Sequence, residues 1–110
     1  MCQHQSMLTS VEADLLQVLS SPLRLRIVSL LARETLCTTH LVEETGARQT
    51  NLSNHLKVLR EAGVVDTEPC GNYTYYRLRP QVIEALAGSF TELAAAARET
   101  AAADRRRPCL

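Results

Sequence analysis

The 110-residue sequence carries 12 basic and 12 acidic side chains, so its formal net charge is zero. The length fits one domain, and the neutral balance does not favour a uniformly basic nucleic-acid binder, so the placement of the positive charges decides any such affinity. With no Trp and one Phe, the composition favours packed helices over a β-sandwich. No apolar run of about 18 residues and no signal-peptide pattern occur, so we expect a cytoplasmic protein without membrane association.

The four cysteines lie far apart in the sequence, at Cys2, Cys37, Cys70 and Cys109. No pair of them has the Cys-x-x-Cys spacing of a redox or zinc motif. We therefore expect reduced thiols rather than a disulfide framework. Reduced thiols of this kind are either inert or metal ligands.

The N-terminal part of the sequence predicts a mobile arm followed by two helices. Residues 1–9 are polar and have no pattern, so we expect them to form the arm. Ser10 is a candidate N-cap for the first helix, and Ser21 followed by Pro22 predicts the start of the second. Apolar side chains recur at helical spacing along both: Val11, Leu15 and Leu19, then Leu23, Ile27, Leu30 and Leu31.

The next segment predicts a helix-turn-helix unit. We expect residues 34–37 to form a connector and residues 40–45 to form a short helix that Thr38 or Thr39 caps. Gly46 then ends this helix, because a helix C-terminus favours a residue with positive φ. A short helix, a glycine-containing turn and a second amphipathic helix are the parts of a helix-turn-helix.

The second helix of this unit, residues 49–60, has two opposed faces. One face is apolar and carries Leu52, Leu56 and Leu59, whereas the other carries Thr50, Ser53, Asn54 and Lys57. A face that meets only water would favour Glu and Lys, which are better helix formers than Thr, Ser and Asn. Short hydrogen-bonding side chains suit base edges and phosphates, so we predict that this face contacts DNA. His55 lies beside the apolar face, and we expect it to pack and hydrogen-bond there.

After Gly63 the apolar spacing changes from the helical period to the period of two that is typical of strands. Residues 64–68 and 73–78 predict a two-stranded hairpin around a turn at residues 69–72. An isolated hairpin is marginally stable, so one of its faces must pack on the helices. We expect that face to present Val65, Tyr76 and Leu78.

Pro80 begins a last helix whose apolar stripe is too long for a small monomer to cover. We expect this helix to pack against a second copy of the chain. The stripe consists of Ile83, Leu86, Phe90, Leu93 and Ala97. Residues 104–110 predict a polar tail with a basic cluster. The predicted fold class is mainly α (α+β), with one DNA-binding and dimerisation domain over residues 10–103.

Four segments, taken in order, carry a family resemblance. They are SPLRLRI at residues 21–27, QTNLSNHLKVL at 49–59, GVV at 63–65 and GNYTYYRL at 71–78. Together they resemble the ArsR/SmtB family of winged helix-turn-helix repressors that sense metals and metalloids, most closely the arsenical-resistance type. The resemblance extends over residues 10–95.

The resemblance implies a homodimer that binds an inverted-repeat operator in double-stranded DNA and is released by an inducer. It implies DNA contacts from Arg48, Gln49, Thr50, Asn51, Ser53, Asn54 and Lys57. Two positions depart from the family pattern. Many relatives have Ser in place of Arg48, so the usual N-cap is missing and we expect Arg48 to contact phosphate. Many have Arg in place of Asn72, so the case for a contact between the wing and a phosphate is weaker.

The resemblance also implies an inducer that cysteine thiolates bind. A zinc-type site on the last helix needs histidine there, and no histidine follows His55. A cadmium-type site in the recognition helix would need cysteines in place of Val58 and Ala62. A third arrangement uses Cys-x-Cys at the start of the helix before the turn. Cys37 keeps its first position, and Thr39 takes its second.

As(III) or Sb(III) is satisfied by three thiolates, so Cys37 would recruit Cys2 from the arm or Cys109 from the tail. Cd(II) remains an alternative, as do thiol oxidation and a regulator without any metal ligand. His40 has a spacing from Cys37 that fits a shared metal, whereas Cys70 is expected to be incidental. No organic cofactor is expected. The sequence has no phosphate-binding glycine loop and no hydrolase motif, so we do not expect an enzyme.

Overall fold

The computed structural model describes residues 9–109. The described chain forms five helices and a three-stranded antiparallel sheet, in agreement with the predicted fold class. The elements in chain order are α1 (Ser10–Leu19), α2 (Pro22–Leu31), β1 (Leu36–Cys37), α3 (Thr38–Thr45), α4 (Gln49–Glu61), β2 (Val65–Cys70), β3 (Tyr73–Leu78) and α5 (Pro80–Ala103).

Helix α1 begins one residue earlier than the sequence predicts, because Thr9 rather than Ser10 is its N-cap. The Thr9 hydroxyl accepts a hydrogen bond from the Glu12 backbone N–H at 3.2 Å, and the Glu12 carboxylate accepts one from the Thr9 N–H at 2.8 Å. This reciprocal pair is a capping box, which satisfies two backbone donors at once. Thr9 is therefore not part of a polar arm. Residues 1–8 lie outside the described residues, so the predicted arm stays a prediction.

The start of α2 follows the sequence prediction. The Ser21 hydroxyl accepts from the Arg24 backbone N–H at 3.3 Å, and Pro22 is the first helical residue. Proline fits there because its missing N–H would have no partner within the helix. The chain therefore turns between α1 and α2 within two residues, which packs the two helices side by side.

The prediction of a plain connector at residues 34–37 is wrong. Leu36 and Cys37 form strand β1, which pairs antiparallel with β3, so Leu36 lies opposite Tyr76 and Cys37 opposite Tyr75. The sheet therefore has the order β1-β3-β2, rather than being an isolated two-stranded hairpin. The outer edge of β3 offers unpaired backbone groups, and two residues are enough to pair with part of that edge. A two-residue strand is too short to show periodicity in the sequence.

Strand β1 also changes where α3 begins. Helix α3 starts at Thr38, and its N-cap is Cys37 rather than Thr38 or Thr39. Gly46 ends α3 with φ of 73°, a left-handed conformation that glycine adopts without steric cost, as predicted. The turn into α4 is therefore short and fixed by the backbone.

The hairpin, which we call the wing (residues 65–78), has longer strands than predicted. Strand β2 continues through Pro69 and Cys70, so the connection contains only Gly71 and Asn72. Gly71 has φ of 63°, as a two-residue hairpin turn requires. Val65 is buried, and Tyr76 and Leu78 pack against the core, so the predicted inner face of the hairpin is confirmed.

One hydrophobic cluster joins the first four helices to the base of the wing. Its members are buried aliphatic side chains: Ile27, Leu31, Leu36, Leu41, Leu52, Leu56, Leu59, Val64 and Val65. All three predicted leucines of α4 belong to it. The core thus fixes α4 from its inner face and leaves the outer face free.

Helix α5 extends away from this core. Leu86 is its one fully buried residue among those described, whereas Phe90 is 44% exposed and Leu93 is 39% exposed. The Ser89 hydroxyl donates a hydrogen bond to the Glu12 carboxylate at 2.5 Å and so connects α5 to α1. Within residues 9–109, none of the helices is both long enough and apolar enough to cross a bilayer.

The contact between α1 and α5 predicts a specific dependence of stability on pH. The Ser89 hydroxyl, followed by the Thr9 N–H, donates to the Glu12 carboxylate and lowers the pKa of Glu12. A carboxyl group with a lowered pKa stabilises the folded state above its unfolded-state pKa, and this contribution is lost as pH falls through the folded-state pKa. We expect Glu12→Gln to lower the melting temperature at neutral pH and to have progressively less effect in acid. Thermal unfolding of wild type and Glu12→Gln from neutral to acid pH measures the difference in melting temperature. A difference that does not change with pH would contradict the stabilising role of the Glu12 carboxylate.

Candidate functional site

Helix α4 is held by its apolar face, which is the part of the candidate site that packing determines. Leu52 and Leu59 are fully buried, and Leu56 is 1% exposed. The three side chains recur at i, i+4 and i+7 and pack against α2, α3 and the base of the wing. The opposite face therefore has a fixed orientation relative to the rest of the domain.

All seven residues predicted to contact DNA lie on exposed surface of α4 or at its N-cap. They are Arg48, Gln49, Thr50, Asn51, Ser53, Asn54 and Lys57. Arg48 occupies the N-cap, and its side chain makes no capping hydrogen bond. This surface carries two cations and five uncharged side chains able to donate and accept hydrogen bonds. Such a surface can contact both phosphates and base edges.

His55 faces the interior rather than this surface, as expected from its place beside the leucines. Arg24 Nη1 lies 2.9 Å from His55 Nδ1, and Arg24 Nε donates to the Val18 carbonyl at 2.5 Å. A guanidinium group can only donate, so His55 Nδ1 is the acceptor in this bond. Arg24 thereby links the end of α1 to α4. Sequence reasoning missed this link, because Arg24 lies outside the apolar stripe and its hydrogen-bond partners are distant in the chain.

Arg77 of the wing and Arg79, the residue that follows it, both lie beside acidic side chains. Arg77 Nη1 lies 2.8 Å from the Glu68 carboxylate, and Arg79 Nε lies 3.9 Å from that of Asp66. Exposed pairs of this kind add little to stability, but each places a negative charge beside the cation. Asn72 at the turn is uncharged. Arg48 and Lys57 of the candidate surface have no acidic partner among the ion pairs of the described residues.

Cys37 occupies the junction of three elements, since it ends β1, caps α3 and lies opposite Tyr75 of β3. Its side chain is buried, with 5% exposed. The Cys37 backbone N–H donates to His40 Nδ1 at 3.2 Å, and the His40 ring meets the Tyr75 ring edge-on with centroids 6.0 Å apart. Cys37 is therefore a fixed position in the fold rather than a thiol on a loop.

The same hydrogen bond limits His40 as a metal ligand. Because His40 Nδ1 accepts from the Cys37 N–H, a neutral His40 carries its proton on Nε2, a tautomer assigned from the hydrogen-bond partner. Neither ring nitrogen then offers a free lone pair to a metal. The geometry favours a positioning role for His40 beside Cys37 over shared ligation.

Two cavities meet at Cys37. The first, which we call the tyrosine cavity, has a volume of about 200 Å³ and is lined by Cys37, Thr39, His40, Tyr73 and Tyr75. The second, which we call the wing groove, has a volume of about 320 Å³ and separates α4 from the wing. Its lining includes Cys37, Thr39, Gln49, Asn72, Tyr73 and Thr74. Cys37 and Tyr73 thus border both spaces.

Neither the predicted ligand Cys109 nor Cys70, expected to be incidental, lies with Cys37 in a metal-binding group in the described part of the chain. Cys109 is exposed in the tail that follows α5, and Cys70 is exposed at the end of β2. Cys2 lies outside the described residues. Among residues 9–109, no group of three or more His, Cys, Asp or Glu side chains is placed to hold a metal ion. A site with three thiolates would therefore need residues from elsewhere to join Cys37.

Comparison with known proteins agrees with this architecture. Residues 21–67 match the model of the family described as bacterial regulatory protein, arsR family. The chain is 40% identical over 65 residues to the HTH-type transcriptional repressor SmtB of Mycobacterium tuberculosis, which covers 59% of this chain and 48% of that repressor. It is 37% identical over 72 residues to the arsenical resistance operon repressor of Staphylococcus xylosus, covering 66% of this chain and 69% of the repressor. The chain spans about half the length of the SmtB repressor.

A solved structure shows the same fold with related sequence. The Mycobacterium tuberculosis protein Rv0081 superposes with a TM-score of 0.65 at 32% identity, covering 84% of this chain and 94% of that one. The Mycobacterium tuberculosis SmtB protein and the Staphylococcus xylosus protein are both named as repressors. The family model spans α2, β1, α3, α4 and the first residues of β2, and the match to Rv0081 covers 84% of the chain. The chain therefore belongs to the ArsR family of bacterial regulatory proteins.

Proposed function

We propose that this protein is a transcriptional repressor that binds an inverted-repeat operator in double-stranded DNA. The observation that carries the proposal is the exposed polar face of α4, which is held by three buried leucines. Arg48 and Lys57 would contact phosphates, and Gln49, Thr50, Asn51, Ser53 and Asn54 would contact base edges or phosphates. The repressor names of its relatives support this assignment.

We propose that the repressor acts as a homodimer through α1 and α5. Val11 is 66% exposed, and Phe90 and Leu93 remain partly exposed on α5, so this end of the molecule presents apolar surface. A second copy would cover that surface and place the two α4 helices on successive major grooves of an inverted repeat. On this view residues 10–103 form the DNA-binding and dimerisation domain, and residues 104–110 are a basic tail.

We propose As(III) or Sb(III) as the inducer, with Cys37 as the central ligand. Trivalent metalloids prefer thiolates, and each As–S bond forms as a thiol proton leaves with one hydroxyl group of arsenous acid as water. Cys2 and Cys109 would supply the remaining thiolates. The arsenical-resistance name of one relative supports this choice. Cd(II), thiol oxidation and a regulator without a metal ligand are the alternatives.

A titration of the purified protein distinguishes these inducers. The probe is a DNA duplex that the protein enriches from a random-sequence pool, which we call the selected duplex. We expect arsenite to produce a thiolate-to-arsenic absorption band and to release the selected duplex, whereas zinc does neither. Single Cys→Ser variants identify the ligands, because replacing a cysteine that binds arsenic weakens the absorption band. Cys70→Ser is the matched control and should leave the band unchanged. If peroxide released the selected duplex and arsenite did not, thiol oxidation would be favoured as the signal. If neither released the duplex, both the metalloid and the oxidation hypotheses would be excluded.

A further inference from the structure

Cys37 lies between the two parts of the domain that surround the DNA-facing groove. The wing groove is bordered by Gln49, the first residue of α4, and by Asn72 and Thr74 of the wing. Cys37, the N-cap of α3, borders the same groove. The candidate sensing thiol and the candidate DNA-reading helix therefore open onto one space within a single subunit.

Cys37 is also tied directly to the wing. Its backbone pairs with Tyr75 through the β1–β3 ladder, and its N–H donates to His40, whose ring contacts Tyr75. The tyrosine cavity, which Cys37 also borders, is lined by Tyr73 and Tyr75. Tyr73, the first residue of β3, lines both spaces, so a ligand on Cys37 meets Tyr73 whichever space it occupies.

We propose that a ligand on Cys37 weakens DNA binding within its own subunit, by filling the space between α3 and the wing and displacing Tyr73 from its place at the wing groove. This rests on the proposed roles of α4 in DNA binding and of Cys37 in sensing. The route needs no change in the separation of the two subunits. It passes through Tyr73 and the wing groove, both on the DNA-facing side of the domain.

The volumes indicate what size of ligand has this effect. A cavity of about 150 Å³ holds a benzene molecule, so the tyrosine cavity of about 200 Å³ can accept an aromatic ring but little more. A methyl group on sulfur leaves most of that space empty. The displacement, and the loss of DNA affinity, should therefore increase with the size of the group on Cys37 and should not require a metal.

A chain in which Cys37 is the sole thiol tests this size dependence. The variant Cys2→Ser/Cys70→Ser/Cys109→Ser is treated with methyl or benzyl methanethiosulfonate. The Cys37 thiolate attacks the sulfenyl sulfur, a mixed disulfide forms, and methanesulfinate leaves. We expect the benzyl adduct to bind the selected duplex at least 10-fold more weakly and the methyl adduct to lose less than 3-fold. Affinity should return after reduction, and sedimentation should show an unchanged dimer.

Two further measurements keep the test decisive. If mass spectrometry finds no adduct, Cys37→Phe places a ring at the same position, with Cys37→Ala as its control and circular dichroism as the check on folding. All three tyrosines of the sequence lie in β3, so ¹⁹F spectra of protein labelled with 3-fluorotyrosine report on the wing directly. We expect the Tyr73 signal to shift with the benzyl adduct and with arsenite.

The outcomes separate this inference from the proposed function. A chain fully modified with the benzyl group that binds the selected duplex within twofold of the unmodified chain would overturn the inference. Weaker binding of that adduct with an unmoved Tyr73 signal, or with a dissociated dimer, would overturn it too. If arsenite still released DNA through Cys37 in that case, the proposed function would stand alone. If the benzyl adduct weakened binding and arsenite did not, the inducer assignment would fail and the local route would stand.

Discussion

Replacing Ser53 and Asn54 together by alanine should lower affinity for the selected duplex roughly 100-fold, since a good base contact is worth about 1–3 kcal/mol and each subunit loses such contacts. Both side chains are exposed on α4, and neither belongs to the hydrophobic cluster. Alanine is also a better helix former than Ser or Asn, so the helix itself should not suffer. Fluorescence anisotropy at fixed salt concentration measures the change.

Lys57→Ala should act differently from that double variant. A lysine that contacts phosphate contributes through counterion release, so its loss should reduce the slope of log affinity against log salt by about one for each phosphate contact. Ser29→Ala, an exposed substitution on α2, is the matched control and should leave both affinity and slope unchanged.

Wild-type affinity in the Ser53/Asn54 double variant would show that DNA meets another surface of the domain.

Leu56→Ala should destabilise the folded protein by about 2–5 kcal/mol, the range for removing a large aliphatic side chain from a core. Leu56 is 1% exposed and lies between Leu52 and Leu59 on the inner face of α4. Small domains are stable by only about 5–15 kcal/mol, so this loss is a large share of the total. Urea unfolding measures it, at one fixed protein concentration because a dimer's stability depends on concentration.

The adjacent substitution Lys57→Ala provides the control for this measurement. Lys57 is exposed on the same helix, and surface substitutions usually change stability by less than about 0.5 kcal/mol. Leu56→Ala should therefore lower the urea midpoint, and Lys57→Ala should not. Equal effects of the two variants would mean that α4 is not held by its apolar face.

The helical part of the fold could be predicted because its signals are local. Leu52, Leu56 and Leu59 recur at the helical period, Pro22 marks a helix start, and Gly46 marks a helix end by its need for positive φ. Those positions agree with the structure. The exposed face of α4 could be predicted for the same reason, since a helix with one buried stripe has its other side in solvent.

Strand β1 and the surroundings of Cys37 could not be predicted, because they depend on partners far away in the chain. Leu36 and Cys37 pair with Tyr76 and Tyr75, about 40 residues later, and two residues carry no period. The hydrogen bond between Arg24 and His55 likewise joins residues 31 positions apart. The capping boundary at Thr9 was missed for a simpler reason, since Thr9 and Ser10 are both good N-cap residues and the choice depends on Glu12.

The charge balance of the wing also required the structure. Arg77 and Arg79 are visible in the sequence, but their ion pairs are diagonal: the register places Arg77 opposite Asp66, whereas Arg77 pairs with Glu68 and Arg79 with Asp66. That pairing shifts the expected phosphate contacts towards α4. An arginine in place of Asn72 would be the one wing arginine without a pairing seen here, because Arg77 already lies beside Glu68.

The most direct test of the central claim compares wild type and Cys37→Ser, each bound to the selected duplex, during one titration with arsenite followed by fluorescence anisotropy. The two proteins should bind the duplex equally well before arsenite is added, because the substitution only replaces sulfur by oxygen and Cys37 is not among the residues proposed to contact DNA. We predict that arsenite releases the duplex from wild type and leaves the Cys37→Ser complex intact. Release of both complexes at the same arsenite concentration would contradict a sensing role for Cys37.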